Sequence, residues 1–285
     1  MSYFKNYLSL VKFSHTVFAL PFAIIGFFLG IHAGFSFEWL LFIKVILCMV
    51  FARTAAMAFN RFADRFIDEK NERTNKREIP SGVVSSKAAF TLVILSSALF
   101  IFITYTINPL CFYLSPVALL VVLGYSFTKR FTWLCHIVLG LGLSLAPTGA
   151  YIAVTGKFDW LPVFFSFAVI CWVSGFDIIY ALQDAEFDKE NQLYSLPSFL
   201  GKPAALQISS LLHFASASFI LIAGFYASFS FIYWIGALVF ASLLIYQHTL
   251  VKSDDLSRVN AAFFTTNGIA SILFACFVVT ELLVH

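Results

Sequence analysis

The sequence predicts an all-α membrane protein: a bundle of nine transmembrane helices with a cytoplasmic N-terminus, forming a single domain over residues 1–285. Three observations carry this prediction. The chain is 60% apolar and only 12% charged, where ordinary soluble domains carry about 25% charged residues. Nine stretches reach the roughly 20 mainly apolar residues needed to cross a bilayer. The Lys and Arg residues gather in alternate connections between those stretches.

The expected spans are 14–33, 39–59, 88–107, 109–128, 133–154, 161–183, 204–226, 228–250 and 260–283. The first follows a mixed segment and lacks a small-residue cleavage site, so it reads as a retained span and not a signal peptide. With the N-terminus inside, the cytoplasmic pieces hold every one of the 18 Lys and Arg residues except Lys44, Arg53 and Lys157. That bias is the positive-inside pattern, and it places the C-terminus outside. Lys44 lies close enough to the outer end of its span to snorkel. The five Cys form no C-x-x-C pair, which argues against a disulfide framework or a zinc site. The six His show no ligand spacing and read as structural.

Two cytoplasmic connections, 60–87 and 184–203, are too long to be simple turns. Each begins at an acidic cluster that continues a span. The first reads Asn60-x3-Asp64-x3-Asp68, then Ile79-Pro80-Ser81-Gly82. The second reads Tyr180-x3-Asp184-x3-Asp188, then Leu196-Pro197-Ser198. The two clusters match at a constant offset of 120 residues and the Pro-Ser pairs at 117, which makes a weak internal repeat. On a continuing helix, residues four apart share a face, about 6 Å apart along the axis. Either cluster alone is compatible with a solvated helix end. As a facing pair they offer hard oxygen ligands of the kind Mg²⁺ takes, with phosphate oxygens completing its shell.

Cations surround these clusters: Arg65, Lys70, Arg73, Arg77, Lys129 and Arg130. As a group they suit an anionic ligand. Charges inside spans are costly and mark function by default. Arg53 lies seven residues before Asn60, and Asp177 seven before Asp184, each on its cluster's face but deeper in the membrane. They read either as a structural ion pair with each other or as the polar end of a cavity. Tyr125 and Lys129, at i and i+4, can line the same chamber. A membrane cavity with a diphosphate clamp at its rim suits an isoprenyl diphosphate. Loss of diphosphate would leave an allylic cation for an electron-rich ring to attack, with catalysis mostly electrostatic.

These residues resemble the UbiA superfamily of intramembrane aromatic prenyltransferases, over nearly the whole chain. The resemblance rests on Arg53-x6-Asn60-x3-Asp64-Arg65-x2-Asp68 with Arg73-Thr74-Asn75-Lys76-Arg77 and Ile79-Pro80-Ser81-Gly82. It rests also on Tyr125-x3-Lys129-Arg130 and on Asp177-x2-Tyr180-Ala181-x2-Asp184-x3-Asp188. It implies that Asn60, Asp64, Asp68, Asp184 and Asp188 hold Mg²⁺ and diphosphate, the four aspartates being catalytic. It implies that Arg65, Lys129, Arg130, Arg73 and Arg77 bind the diphosphate, as does Asn60. Arg53, Tyr125, Asp177 and Tyr180 would line the acceptor end. Arg61 departs from the pattern, standing where many similar proteins have Asp.

The opening Val11-Lys12-Phe13-Ser14-His15-Thr16-Val17-Phe18-Ala19-Leu20-Pro21-Phe22 is similar to the 4-hydroxybenzoate polyprenyltransferase branch. Asn60-Arg61 with Tyr180-Ala181-Leu182-Gln183-Asp184 also resembles a sub-branch that prenylates 1,4-dihydroxy-6-naphthoate on a route to menaquinone. The resemblance thus implies a Mg²⁺-dependent polyprenyl transfer to a small aromatic acid in respiratory quinone biosynthesis, in a bacterial inner membrane with the active site facing the cytoplasm. The partners implied are polyprenyl diphosphate, the aromatic acid and the lipid bilayer, with no nucleic acid. Oligomeric state is left open. A transporter is the reading from another class, with Arg53 and Asp177 marking a pathway; the concentration of charged motifs at one rim disfavours it.

Overall fold

The computed structural model describes residues 3–11 and 18–285. Its elements are helical: α1 (Tyr3–Leu10), α2 (Leu20–His32), α3 (Trp39–Ala63), α4 (Arg65–Lys70), α5 (Ser86–Tyr105), α6 (Pro109–Thr128), α7 (Cys135–Thr155), α8 (Trp160–Ala181), α9 (Ala185–Glu190), α10 (Leu196–Leu200), α11 (Lys202–Tyr226), α12 (Phe231–Leu250) and α13 (Asn267–Val284). A 3₁₀ turn, Leu182–Asp184, joins α8 to α9, and a π-helical turn, Ala261–Thr266, leads into α13.

Among the described residues, eight helical segments are long and apolar enough to cross a membrane, and α2 is a shorter apolar helix of 13 residues. The protein is therefore an integral membrane protein with an all-helical body. The start of the first expected span, together with residues 12–17 of the opening segment, lies outside the described residues. The short α1 had no expected counterpart.

Local chemistry sets many of the helix ends. Ser85, Asn108 and Asp159 accept from the backbone N–H groups of Ala88, Cys111 and Leu161, satisfying donors that a helix start leaves open. Ser195 and Ser198 form a reciprocal capping box that starts α10. Gly156, at φ +69°, closes α7 in the left-handed conformation glycine tolerates best.

Helix α7 packs against α2, α6 and α8; α8 packs against α11, and α3 against α5. Two glycines permit close approaches to a neighbouring helix backbone. A Cβ on Gly26 of α2 would lie 2.0 Å from the Pro147 carbonyl oxygen of α7, and one on Gly140 of α7 would lie 2.5 Å from the Ile170 carbonyl oxygen of α8. Small residues at such crossings drive association where lipid offers no hydrophobic gain. The main core surrounds Trp172, Phe22, Phe240 and Phe274, while large apolar residues such as Leu120, Phe214 and Phe225 face outward. A smaller core of Leu10, Ala58, Ile79, Val84, Ala89 and Val93 lies under the segment that follows α4. That core anchors the charged end of the bundle.

Candidate active site

Both acidic clusters sit at helix breaks. Asp64 ends α3 and precedes α4, and Asp184 ends the 3₁₀ turn and precedes α9. Their backbones are nearly identical, φ −91° and ψ 6° at Asp64 against φ −100° and ψ 3° at Asp184. The first helix therefore does not run straight through Asn60–Asp68, as the spacing alone suggested. The break is slight, because Asp64 N–H still donates to Asn60 O at 2.9 Å and Asp68 N–H to Asp64 O at 2.8 Å. The repeat read from the sequence is thus also a repeat of backbone shape.

Each of the four aspartates has a cation of its own. Arg130 Nη2 lies 3.1 Å from Asp64 Oδ1, Arg77 Nη1 lies 2.7 Å from Asp68 Oδ1, and Lys129 Nζ lies 2.7 Å from Asp188 Oδ1. Arg73 donates through both Nε and Nη2 to the two oxygens of Asp184. Three of these carboxylates are buried: Asp68 at 5% exposed, Asp184 at 7% and Asp188 at 0%. Pairing makes such burial tolerable, since an isolated carboxylate costs several kcal/mol to bury. Three of the pairs cross between segments, Arg73 and Lys129 reaching Asp184 and Asp188, and Arg130 reaching back to Asp64. The two clusters and the Lys129-Arg130 segment therefore form one site.

Polar neighbours complete it. Asn60 Nδ2 donates to Asp64 Oδ2 at 2.9 Å, Asn71 Nδ2 to Asp184 Oδ1 at 3.0 Å, and Ser195 Oγ to Asp188 Oδ2 at 2.8 Å. Arg73 also donates to the Tyr180 hydroxyl at 2.9 Å and lies over its ring. Burial pushes the Asp64 carboxyl above its ordinary range against the pull of Arg130. Burial disfavours charge on Lys129, and the adjacent Asp188 overrides it, leaving the ammonium more strongly basic than usual.

The other expected residues divide. Arg65 joins no aspartate: it donates to the Phe62 carbonyl at 2.6 Å and its guanidinium stacks on Phe62 and Phe66. Arg53 and Tyr125 are placed deeper, and Arg53 Nε is buried without a hydrogen-bond partner. Asp177 pairs with His136, Oδ2 to Nδ1 at 2.7 Å, and not with Arg53. Leu196 N–H donates to His136 Nε2 at 3.3 Å, so Nδ1 carries the ring proton and donates it to Asp177. Among the described residues Arg53 thus has no carboxylate partner in any ion pair. Sequence reasoning missed His136, Asn71 and Ser195. His136 lies 41 residues from its partner, where no spacing rule reaches. Asn71 follows Asp68 by one helical turn, a placement that fits an extension of the same polar face.

The donor set suits a hard divalent cation. It consists of carboxylate and amide oxygens, and Asp68 Oδ2 is buried with no hydrogen-bond partner. Among the described residues no three His, Cys, Asp or Glu side chains converge as a preformed metal group.

The chain is an all-helical membrane body with acid–base pairs gathered where its helices break, and comparison identifies its class. The model of the UbiA prenyltransferase family matches residues 19–269. Curated relatives include the 4-hydroxybenzoate octaprenyltransferases of Vibrio campbellii, 31% identical over 83% of each chain, and Vibrio atlanticus, 33% identical over 78% of each chain. Among solved structures, the apo UbiA homologue of Aeropyrum pernix K1 superposes with TM-score 0.84 at 29% identity, covering 94% of this chain and 98% of that one. The Archaeoglobus fulgidus homologue bound to GPP and Mg²⁺ shares the fold, with TM-score 0.75 at 21% identity over 98% and 100% of the two chains. The chain belongs to the UbiA prenyltransferase family, and it is a prenyltransferase.

Proposed function

We propose that the protein transfers a polyprenyl group from polyprenyl diphosphate to a ring carbon of a small aromatic acid in respiratory quinone biosynthesis, with Mg²⁺. The acceptor is of the 4-hydroxybenzoate type, and 1,4-dihydroxy-6-naphthoate is the alternative. The observation that carries this reading is the one-to-one pairing of Asp64, Asp68, Asp184 and Asp188 with Arg130, Arg77, Arg73 and Lys129. A site of four carboxylates and four cations at the mouth of an apolar bundle takes a metal–diphosphate by exchange of partners. The aspartates, with Asn60, turn to the metal, and the cations turn to the phosphate oxygens. The names of the Vibrio relatives support the acceptor class, and the A. fulgidus complex with GPP and Mg²⁺ supports the donor and metal.

Mg²⁺, when bound, neutralises the diphosphate and makes it a better leaving group. The chain's residues do the rest. Arg73, Arg77, Lys129 and Arg130 receive the diphosphate as the allylic C–O bond breaks and its electron pair departs with the leaving oxygen. The apolar helices hold the tail and keep water from the allylic cation. Arg53, two turns deeper and with its Nε buried and unpartnered, receives the acceptor carboxylate. Tyr125, Tyr180 and the His136–Asp177 pair position its ring. The ring carbon then forms the C–C bond with the allylic cation and loses its proton to the released diphosphate. Arg65, tied to Phe62 and Phe66, assists by holding the start of α4.

The same reading takes the whole chain as one domain of nine spans. α2 stands for the first, and the N-terminus and active site face the cytoplasm of an inner-membrane protein. The test is to incubate membranes containing the protein with a long-chain polyprenyl diphosphate, Mg²⁺ and a mixture of the two acceptors, and to identify the product by mass spectrometry. A prenylated hydroxybenzoate is expected. No prenylated aromatic product from either acid would overturn the proposal.

A further inference from the structure

His136 is a buried imidazole whose two ring nitrogens face two different parts of the molecule. Its side chain is 3% exposed, against 23% for that of Asp177. A ligand in the chamber therefore reaches the carboxylate and not the ring. Nδ1 lies 2.7 Å from Asp177 Oδ2 on α8, and Nε2 accepts from the Leu196 N–H at 3.3 Å. Among the described residues this is the one hydrogen bond made by the Asp177 side chain, so its Oδ1 stays open.

The histidine is held from both sides. Its carbonyl oxygen accepts from Ser174 Oγ of α8 at 3.1 Å. Leu196 is the first residue of α10, where a helix leaves its N–H groups without partners of their own. Nε2 satisfies that buried donor. A nitrogen that accepts from an N–H carries no proton itself, so the ring proton sits on Nδ1 and is donated to Asp177. The segment that supplies the N–H is in turn seated on the second acidic cluster. Leu193 N–H donates to Asp188 O at 2.8 Å, Ser195 Oγ to Asp188 Oδ2 at 2.8 Å and Tyr194 N–H to Lys129 O at 2.7 Å. A short chain of contacts thus runs from Asp188 and Lys129 through Leu196 and His136 to Asp177.

We propose that His136 is a positioning residue for the prenyl transfer. It fixes Asp177 so that Oδ1 is presented to the aromatic acceptor, and the Leu196 N–H locks the imidazole in the tautomer that can do so. The inference rests on the acceptor-side reading of Asp177 given above and adds what holds that carboxylate in place. Without the lock Nε2 is open to a proton of its own, the ionisable groups around the ring being Asp177 and the adjacent Cys135.

The test separates the two nitrogens, since an Asn amide reaches the position of Nδ1 and a Gln amide that of Nε2. Full-length protein in lipid nanodiscs is assayed by two-substrate kinetics with a long-chain polyprenyl diphosphate and 4-hydroxybenzoate. His136→Gln is expected to raise KM for the acid about tenfold with KM for the diphosphate unchanged, and His136→Asn to recover most of that loss. Leu196→Pro deletes the N–H at a helix position that favours proline. It should raise KM for the acid about fivefold, whereas Leu196→Ala, which trims the side chain and keeps the N–H, should raise it at most about twofold. Beside His136→Asn, Leu196→Pro adds nothing, because an amide needs no tautomer lock. Nitrogen-15 NMR of histidine-labelled protein reads the lock without turnover, the His136 signals being those lost in His136→Asn. Nε2 is expected unprotonated in the wild type and protonated in Leu196→Pro. A protonated Nε2 in the wild type, an unprotonated one in Leu196→Pro, equal KM values for His136→Gln and His136→Asn, or a full effect of Leu196→Pro beside His136→Asn overturns the inference. If the wild type prenylates no aromatic acid although Nε2 is unprotonated, the acceptor reading itself fails, and the proposed role falls with it.

Discussion

The exchange of partners predicts opposite effects of one substitution on the two halves of the ligand. In Arg73→Met the bidentate hold on Asp184 is lost while the apolar stem is kept. Arg73 is 30% exposed at its side chain and Asp184 10%, so the pair is neither a surface bridge nor a fully dry one. Charge-assisted hydrogen bonds contribute about 1.5–3 kcal/mol, and exposed pairs only about 0.2–1 kcal/mol. The partly screened Arg73–Asp184 pair therefore falls at about 1–2 kcal/mol, or roughly 5–30-fold in an equilibrium constant. A metal ion that binds alone must break this pair; in Arg73→Met it does not. Metal-only affinity therefore rises by about that factor, while affinity for inorganic diphosphate at saturating metal falls by at least as much. Mn²⁺ titration of nanodisc-embedded protein without diphosphate measures the first effect, and isothermal titration of diphosphate into metal-loaded protein measures the second. If Arg73→Met weakens metal-only binding as well, Arg73 acts by shaping the site and not by exchanging partners, and the reasoning is wrong.

Asp64→Ala and Asp184→Ala are each expected to lower turnover by about 10³-fold or more while leaving the protein inserted and folded, checked by product formation beside thermal unfolding in detergent. Burial holds the Asp64 carboxyl above its ordinary range. As pH falls, Asp64 therefore takes up a proton before an exposed carboxylate would, and metal affinity declines at a correspondingly higher pH. A pH series of Mn²⁺ titrations on wild type and Asp64→Asn checks this, the variant lacking that limb. Asp177→Asn is expected to raise KM for the aromatic acid about tenfold with KM for the prenyl diphosphate unchanged, read from two-substrate kinetics. Gly140→Val drives a side chain into the Ile170 carbonyl and the Ser174 hydroxyl of α8. It should lower stability by about 2 kcal/mol or more, seen as lost folded yield on size-exclusion chromatography.

The helices were legible because a bilayer permits few solutions. Segments such as 39–59 and 109–128 became α3 and α6 with ends within a few residues, since spanning backbone must satisfy its own hydrogen bonds. The pairing of the two acidic clusters was legible for a different reason: the 120-residue offset repeats the aspartates, and the structure repeats a helix break at each, which the spacing alone did not foretell. What spacing could not supply was partner choice. Asp177 and Arg53 occupy matching depths on their helices, yet the partner of Asp177 is His136, which α7 brings alongside α8. The short α1 was equally invisible, because its place is set by contacts distant in sequence, such as the hydrogen bond from Ser9 to Glu78.

The loss of Asp177 as a partner for Arg53 bears directly on function. Had the two paired, the deep end of the proposed site would be neutral and would have no reason to prefer an acid over any other phenol. With Asp177 engaged by His136, Arg53 has no carboxylate partner in any ion pair among the described residues, and its Nε is buried without a hydrogen-bond partner. On the proposed reading, the acceptor's carboxylate supplies the missing counter-ion, and the stability withheld from the free enzyme is recovered as affinity for the acid. An Arg53→Gln variant should accordingly lose preference for a carboxylated ring while still taking up metal and diphosphate. Competition between 4-hydroxybenzoate and its amide, scored by product mass, measures the first effect, and titration with Mn²⁺ and inorganic diphosphate the second. If Arg53→Gln keeps the wild-type preference for the acid, Arg53 does not receive the carboxylate and the reasoning is refuted.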